Sequence, residues 1–237
     1  MDIEQYKNKP YHGDCLDFMK AVPDNYFDLI LTDPPYKLSS TKPGISNLMS
    51  LSKFNSDSYI ELTNGFDVDL HFNEYKRILN KFNLFCFCSN NQLAEIMEWG
   101  QAQKFYTTCL VWHKNNSTPF ANGVWRGDIE FCVHIREKGA YFEGSAHMKQ
   151  KVTTISVNRS QFGHPTEKPM QLIKKYLMIG SDRHYRIFDP FLGSGTTAIA
   201  CKSMGLDWWG CELQQEYISV IERRLTETQM DLFGITN

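Results

Sequence analysis

The sequence predicts an α/β domain built on a mostly parallel, doubly wound sheet. Two observations carry the prediction. Short runs rich in aromatic and β-branched residues alternate with stretches of helical period, as parallel strands and their crossover helices do. One run, Arg186-Ile-Phe-Asp-Pro-Phe-Leu-Gly-Ser-Gly-Thr-Thr-Ala198, passes from strand through a tight glycine turn into a helix.

The predicted strands cover 11–13, 27–32, 84–88, 109–113, 129–135, 186–188 and 208–211. The predicted helices cover 15–21, 68–80, 92–99, 169–179, 196–204 and 214–226. At 85–88 two phenylalanines alternate with Cys86 and Cys88, which suits a buried strand. Within 109–135 an antiparallel hairpin fits. Two polar stretches without clear period, 37–66 and 139–163, read as loops that each follow a strand and overhang a site.

With 237 residues, 22% charged and 42% hydrophobic, the chain has the composition of a folded protein with a sizeable core. No apolar run is long enough to span a membrane, and the polar opening is unlike a signal peptide. The seven cysteines are dispersed without a CxxC pair, which predicts free core thiols and a reducing cytoplasm rather than a metal site. The formal net charge of −2 argues against a purely electrostatic nucleic-acid binder. It leaves room for a local basic face: 136–175 is rich in Lys and Arg, whereas 207–231 is acidic.

Gly193 and Gly195 permit close backbone approach to a ligand, and the helix opening near Thr196 presents free N–H groups. Glu212 ends the next strand, where an acid can hold ribose hydroxyls. The pattern reads as a site for an adenosine-containing cofactor. The same spacing fits a dinucleotide fingerprint, so an NAD-dependent oxidoreductase stays an alternative at this point.

The run 27–36 is a buried strand leading into Asp33-Pro34-Pro35-Tyr36. The prolines fix the backbone and remove two donors. Asp33 and the Pro34 carbonyl can then accept both hydrogens of an exocyclic amino group, and Tyr36 offers a face for a base.

Taken together these segments resemble the β group of amino-DNA methyltransferases, which act on adenine N6 or cytosine N4. Asp33-Pro-Pro-Tyr36 precedes Asp189-Pro-Phe191-Leu-Gly193-Ser194-Gly195, the order of that group. Tyr11-His-Gly-Asp14-Cys15-Leu16, Val111-Trp112-His-Lys114-Asn115-Asn116 and His164-Pro-Thr166-Glu-Lys168-Pro169 are similar to three further family segments.

The resemblance implies a seven-stranded, mostly parallel Rossmann-like methyltransferase sheet with circularly permuted motif order, as one catalytic domain over 1–237. It implies S-adenosyl-L-methionine as cofactor. The cofactor would be held by Asp14, Cys15, Asp33, Asp189, Phe191, Gly193, Ser194, Gly195, Thr196 and Glu212, with Thr166 and Lys168 toward its carboxylate. Asp33, Pro34, Pro35 and Tyr36 would be catalytic, on a flipped adenine in double-stranded DNA. N4-cytosine is the nearest alternative. DNA contacts are expected from the loops 37–66 and 114–163, through Lys37, Lys42, Lys53, Lys114, Asn115, Asn116 and Arg126. With so little surface for recognition, a short target or a homodimer is expected.

Overall fold

A computed structural model describes residues 1–36, 66–117, 125–157 and 167–232. The predicted contacts Lys37, Lys42, Lys53 and Thr166 lie outside the described residues.

After a short 3-10 turn at Ile3–Tyr6, strand β1 (Pro10–His12) leads into helix α1 (Cys15–Lys20), and β2 (Leu29–Thr32) precedes α2 (Val68–Ile78). Then follow β3 (Asn83–Cys88), α3 (Asn90–Ala102), β4 (Tyr106–His113), β5 (Ile129–Arg136) and β6 (Val152–Thr154). The chain continues through α4 (Met170–Gly180), β7 (Arg186–Asp189), α5 (Thr196–Met204), β8 (Asp207–Glu212) and α6 (Gln215–Leu232).

The strands form one sheet in the order β1-β8-β7-β2-β3-β5-β4-β6. Pairing is parallel from β1 through β3. β5 then runs antiparallel to both β3 and β4, the expected hairpin, and β6 pairs parallel with β4. The sheet has eight strands rather than seven. The added strand is β6, three residues inside a stretch read as loop; Val111, Trp112 and His113 give it a partner that its own composition does not announce.

Both faces of the sheet are covered. Leu84, Cys86 and Cys88 of β3 pack into one core with Phe18 of α1, Phe72 of α2 and Ile96 of α3. Phe85 and Phe87 point to the other, with Leu172 and Tyr176 of α4, Ala198 of α5 and Ile221 of α6. A strand buried on both faces has no polar side, so β3 reads as an unbroken apolar run.

From β2 the chain crosses to β3 on one side; from β7 it crosses to β8 on the other. The strand order therefore reverses between β2 and β7, which opens a crevice beyond their carboxyl ends. Those ends carry Asp33 and Asp189.

Candidate active site

Asp33-Pro34-Pro35-Tyr36 leaves the end of β2. The Pro35 carbonyl accepts a hydrogen bond from the Gln92 side chain at 3.0 Å. Gln92 is fully buried and also accepts from the Ser89 N–H at 3.2 Å, so the cap of α3 fixes the proline tip.

The two oxygens of Asp33 differ. Oδ2 is in an ion pair with Lys168. Oδ1 is buried and has no hydrogen-bond partner. The Lys168 ammonium also lies 3.3 Å from Glu130 Oε2, and 5.3 Å and 5.1 Å from the ring centres of Tyr36 and Phe87. Glu130 accepts from Lys114 on its other oxygen, and its Oε2 is 3.4 Å from the Tyr36 hydroxyl. Two carboxylates and two ammoniums thus balance.

Burial pushes Asp33 up, against the pull of Lys168. Burial alone would lower Lys168, but Asp33 and Glu130 outweigh it and keep the ammonium protonated. Burial would raise Glu130; Lys168 and Lys114 overcome it and hold the carboxyl below its ordinary range.

The glycine turn lies one strand away. Asp189 is 3% exposed, accepts from the Phe191 N–H at 3.1 Å, and is pushed up to about 6 by burial. Gly193 and Gly195 have φ of 53° and 85°, and Gly195 caps α5 in the left-handed conformation. Glu212 accepts from the Gly193 N–H at 2.9 Å and the Gln214 N–H at 2.8 Å, and burial pushes it up to about 7. Arg224 of α6 donates to the Ser194 carbonyl at 2.7 Å and pairs with Glu167 at 2.6 Å. Glu167 in turn accepts from the Thr196 hydroxyl at 3.3 Å.

β1 brings the third segment in: His12 is in register with Glu212, and the Gly13 N–H donates to the Glu212 carbonyl at 3.0 Å. Asp14 caps α1 through the Leu16 N–H at 2.7 Å. Cys15 is buried, and burial pushes its thiol up to about 12. The ends of β1, β8, β7 and β2 therefore gather Asp14, Cys15, Glu212, the 189–196 turn and Asp33 along one edge.

The predicted DNA contacts that are described are engaged within the protein. Lys114 pairs with Glu130. Asn116 donates to the Val157 carbonyl at 2.9 Å and accepts from its N–H at 2.6 Å, while Asn115 accepts from Ser156 at 2.8 Å. Arg126 donates to the Ser117 carbonyl at 3.1 Å. These bonds tie 114–117 to 126 and to 156–157. Beside Arg126, Trp125 is 98% exposed.

The sequence reading did not find Glu130, Gln92 or the Glu167–Arg224 pair. For Glu130 there was a signal: it is the single acid in the run Ile-Glu-Phe-Cys-Val-His-Ile. Lys168, expected toward a cofactor carboxylate, forms an ion pair with Asp33.

Carboxylates on four adjacent strand ends, beside a glycine turn at the switch point, define a nucleotide-type crevice of a doubly wound sheet. The chain belongs to the DNA methylase family, whose N6/N4 methyltransferase model matches residues 27–223. The type II methyltransferase M.HinfI of Haemophilus influenzae is 24% identical over 259 residues, covering 95% of this chain and 70% of that protein. In fold, the chain resembles M1.HpyAVI, solved as a complex with SAM, with a TM-score of 0.70 at 24% identity over 92% of this chain and 98% of that one. It also resembles the cytosine-N4-specific PvuII DNA methyltransferase, with a TM-score of 0.70 at 15% identity over 94% and 92%.

Proposed function

We propose that this DNA methylase is site-specific and transfers a methyl group from S-adenosyl-L-methionine to the N6 amino group of an adenine flipped out of double-stranded DNA. The observation that carries the reading is the asymmetry of Asp33. Lys168 holds one oxygen and so fixes the carboxylate, while the other is buried beside Tyr36 without a hydrogen-bond donor, an acceptor that one N–H of an amine would satisfy once the base is in place. A buried acceptor left without a donor costs roughly 1–3 kcal/mol, which the incoming amine recovers.

The crevice fits the cofactor. Asp189 and Glu212 are acids pushed up by burial, with no cation paired to either among the described residues. Such a place favours a ligand bringing hydroxyl donors and positive charge. Glu212 would hold ribose hydroxyls, and the turn from Asp189 to Thr196, with Asp14 and Cys15 beside it, would hold the remainder. When bound, S-adenosyl-L-methionine supplies an electrophilic methyl group.

Asp33 Oδ1 and the Pro34 carbonyl orient the amino group, so that its nitrogen lone pair faces that methyl group. Tyr36 supports the base, whose unstacking from the duplex costs on the order of a few kcal/mol. Held by Glu212 and the 189–196 turn, the cofactor would supply the methyl group that the amino nitrogen takes up. The surplus proton then passes to Asp33 Oδ1, whose burial favours the protonated form. Positioning carries most of the rate.

A cytosine N4 amino group presents the same two hydrogens, and the family takes both bases. Sequencing modified bases in DNA from cells that express the chain decides between them. N6-methyladenine at one short motif, absent with Asp33→Ala, is the expected result. N4-methylcytosine in its place overturns the adenine assignment, and unmodified DNA overturns methyl transfer.

A further inference from the structure

Part of the basic stretch at 136–175 folds around a cavity of about 180 Å3 that shares no residue with the site above. It lies between β4, the end of β5, the 142–151 segment and α4. Its walls carry Arg136, Lys149, Lys151 and Lys175 and no carboxylate.

The cations are held by rings and neutral acceptors. The Arg136 guanidinium sits 4.4 Å from the Tyr106 ring centre and 4.5 Å from that of Phe142. Lys149 donates to the Phe142 carbonyl at 3.3 Å, and Lys175 donates to the Gln150 carbonyl at 3.0 Å and to Thr153 Oγ1 at 2.6 Å. All ion pairs among the described residues lie elsewhere. Of the nearby acids, Glu137 accepts from the Phe82 N–H and Glu143 is exposed; neither lines the cavity. His134, in the wall, is tied to Asn83 at 3.1 Å and is kept neutral by burial.

A second observation is independent of charge. Tyr176, also in the wall, is 1% exposed, and its hydroxyl is buried with no hydrogen-bond partner. Four unpaired cations and an orphan hydroxyl call for a ligand that is anionic and rich in acceptors. The volume equals about six waters at ~30 Å3 each, enough for a phosphoryl group and a few more atoms.

We propose that this cavity binds a phosphoryl group, with Arg136, Lys149, Lys175 and the Tyr176 hydroxyl as its donors and Phe142 against its uncharged part. Two sources share that chemistry, a free phosphate compound and a phosphate of the DNA backbone.

Titration calorimetry on the full chain at fixed ionic strength tests the site, with inorganic pyrophosphate in one arm and a short duplex in the other. Two variants are compared with the wild type: the double variant Lys149→Met, Lys175→Met, and Tyr176→Phe, which keeps the ring packing. We expect one pyrophosphate per chain, weakened at least ~10-fold in the double variant and ~3-fold in Tyr176→Phe. If the variants weaken only the duplex, the phosphate comes from DNA. If neither ligand's affinity responds to either variant, the site does not exist. Both readouts are binding constants, so they stand whether or not methyl transfer is observed.

Discussion

Lys168 and Asp33 lie 135 positions apart in the chain and meet as an ion pair at the end of β2. Lys168 is 5% exposed and is shared with Glu130, which stands at the start of β5. The candidate catalytic carboxylate is thus oriented by a residue of the segment before α4, and that residue by a strand of the β4–β5 hairpin.

Lys168→Met should lower turnover by about 10- to 100-fold, the worth of a charge-assisted hydrogen bond of ~1.5–3 kcal/mol. Lys168 pulls Asp33 down against burial, so its loss moves Asp33 higher. The acidic limb of the rate–pH profile should then shift to higher pH, and Lys168→Arg should restore part of it. An unmoved limb in Lys168→Met would separate Lys168 from the chemistry.

Tyr36→Phe should keep most of the activity, because the Tyr36 hydroxyl is 3.4 Å from Glu130, at the limit of a hydrogen bond. Tyr36→Ala should lose about 10- to 100-fold through lost stacking of roughly 1–3 kcal/mol. A mismatch at the target base should recover part of that loss, since less unstacking is then needed. Equal damage from both variants in single-turnover assays would assign the role to the hydroxyl instead.

The ligand-free protein should lose stability toward alkaline pH through Glu212 and Asp189. Burial holds them up to about 7 and about 6, above the ~4 of an exposed carboxyl. A raised folded-state value means stability that is complete below the unfolded value and lost as the pH climbs through the folded one. Thermal unfolding between pH 5.5 and 8 should therefore be less pH-dependent in Glu212→Gln than in the wild type. Cofactor affinity should also fall as the pH drops below about 7, where Glu212 gains its proton.

Gly195→Ala should destabilise the fold itself. The left-handed backbone costs a side chain roughly 1–2 kcal/mol, and the added Cβ would stand 2.7 Å from Ile221 Cγ1. A clash with a neighbouring helix therefore keeps this position bare even before any ligand is considered. Ile221→Ala, which removes Cγ1 and Cγ2, should therefore lower the unfolding temperature less in the Gly195→Ala chain than in the wild type. Equal losses in the two backgrounds would place the conflict in the backbone alone.

Strand and helix patterns made most of the fold legible, because the runs 29–31 and 84–88 are buried deeply enough to be apolar throughout. β6 was not legible: its three residues, Val-Thr-Thr, are a strand only because β4 leaves an edge beside them. The proline tip and the glycine turn were readable since each is contiguous and its residue types are dictated by backbone geometry. The support behind them was not. Glu130, Lys114 and Lys168 come from three segments, and no local spacing tells a lysine which carboxylate it will meet. The same holds for Arg224, whose contact with Ser194 spans 30 positions.

At the other end of the sheet, β1 is stitched to β8 by parallel pairing, by the Lys7–Asp207 ion pair and by the Trp209 indole donating to the Ile3 carbonyl. Asn8 and Asp207, which bond at 3.2 Å, are 199 positions apart. The chain therefore makes β1 and β8 far apart in time, and the edge that brings Asp14 beside Glu212 forms only when both are present. Contacts this distant in sequence are slow to form. Circular permutants that join the present ends and open the chain in the 37–65 segment would make β8 and β1 consecutive, and should fold faster than the natural order.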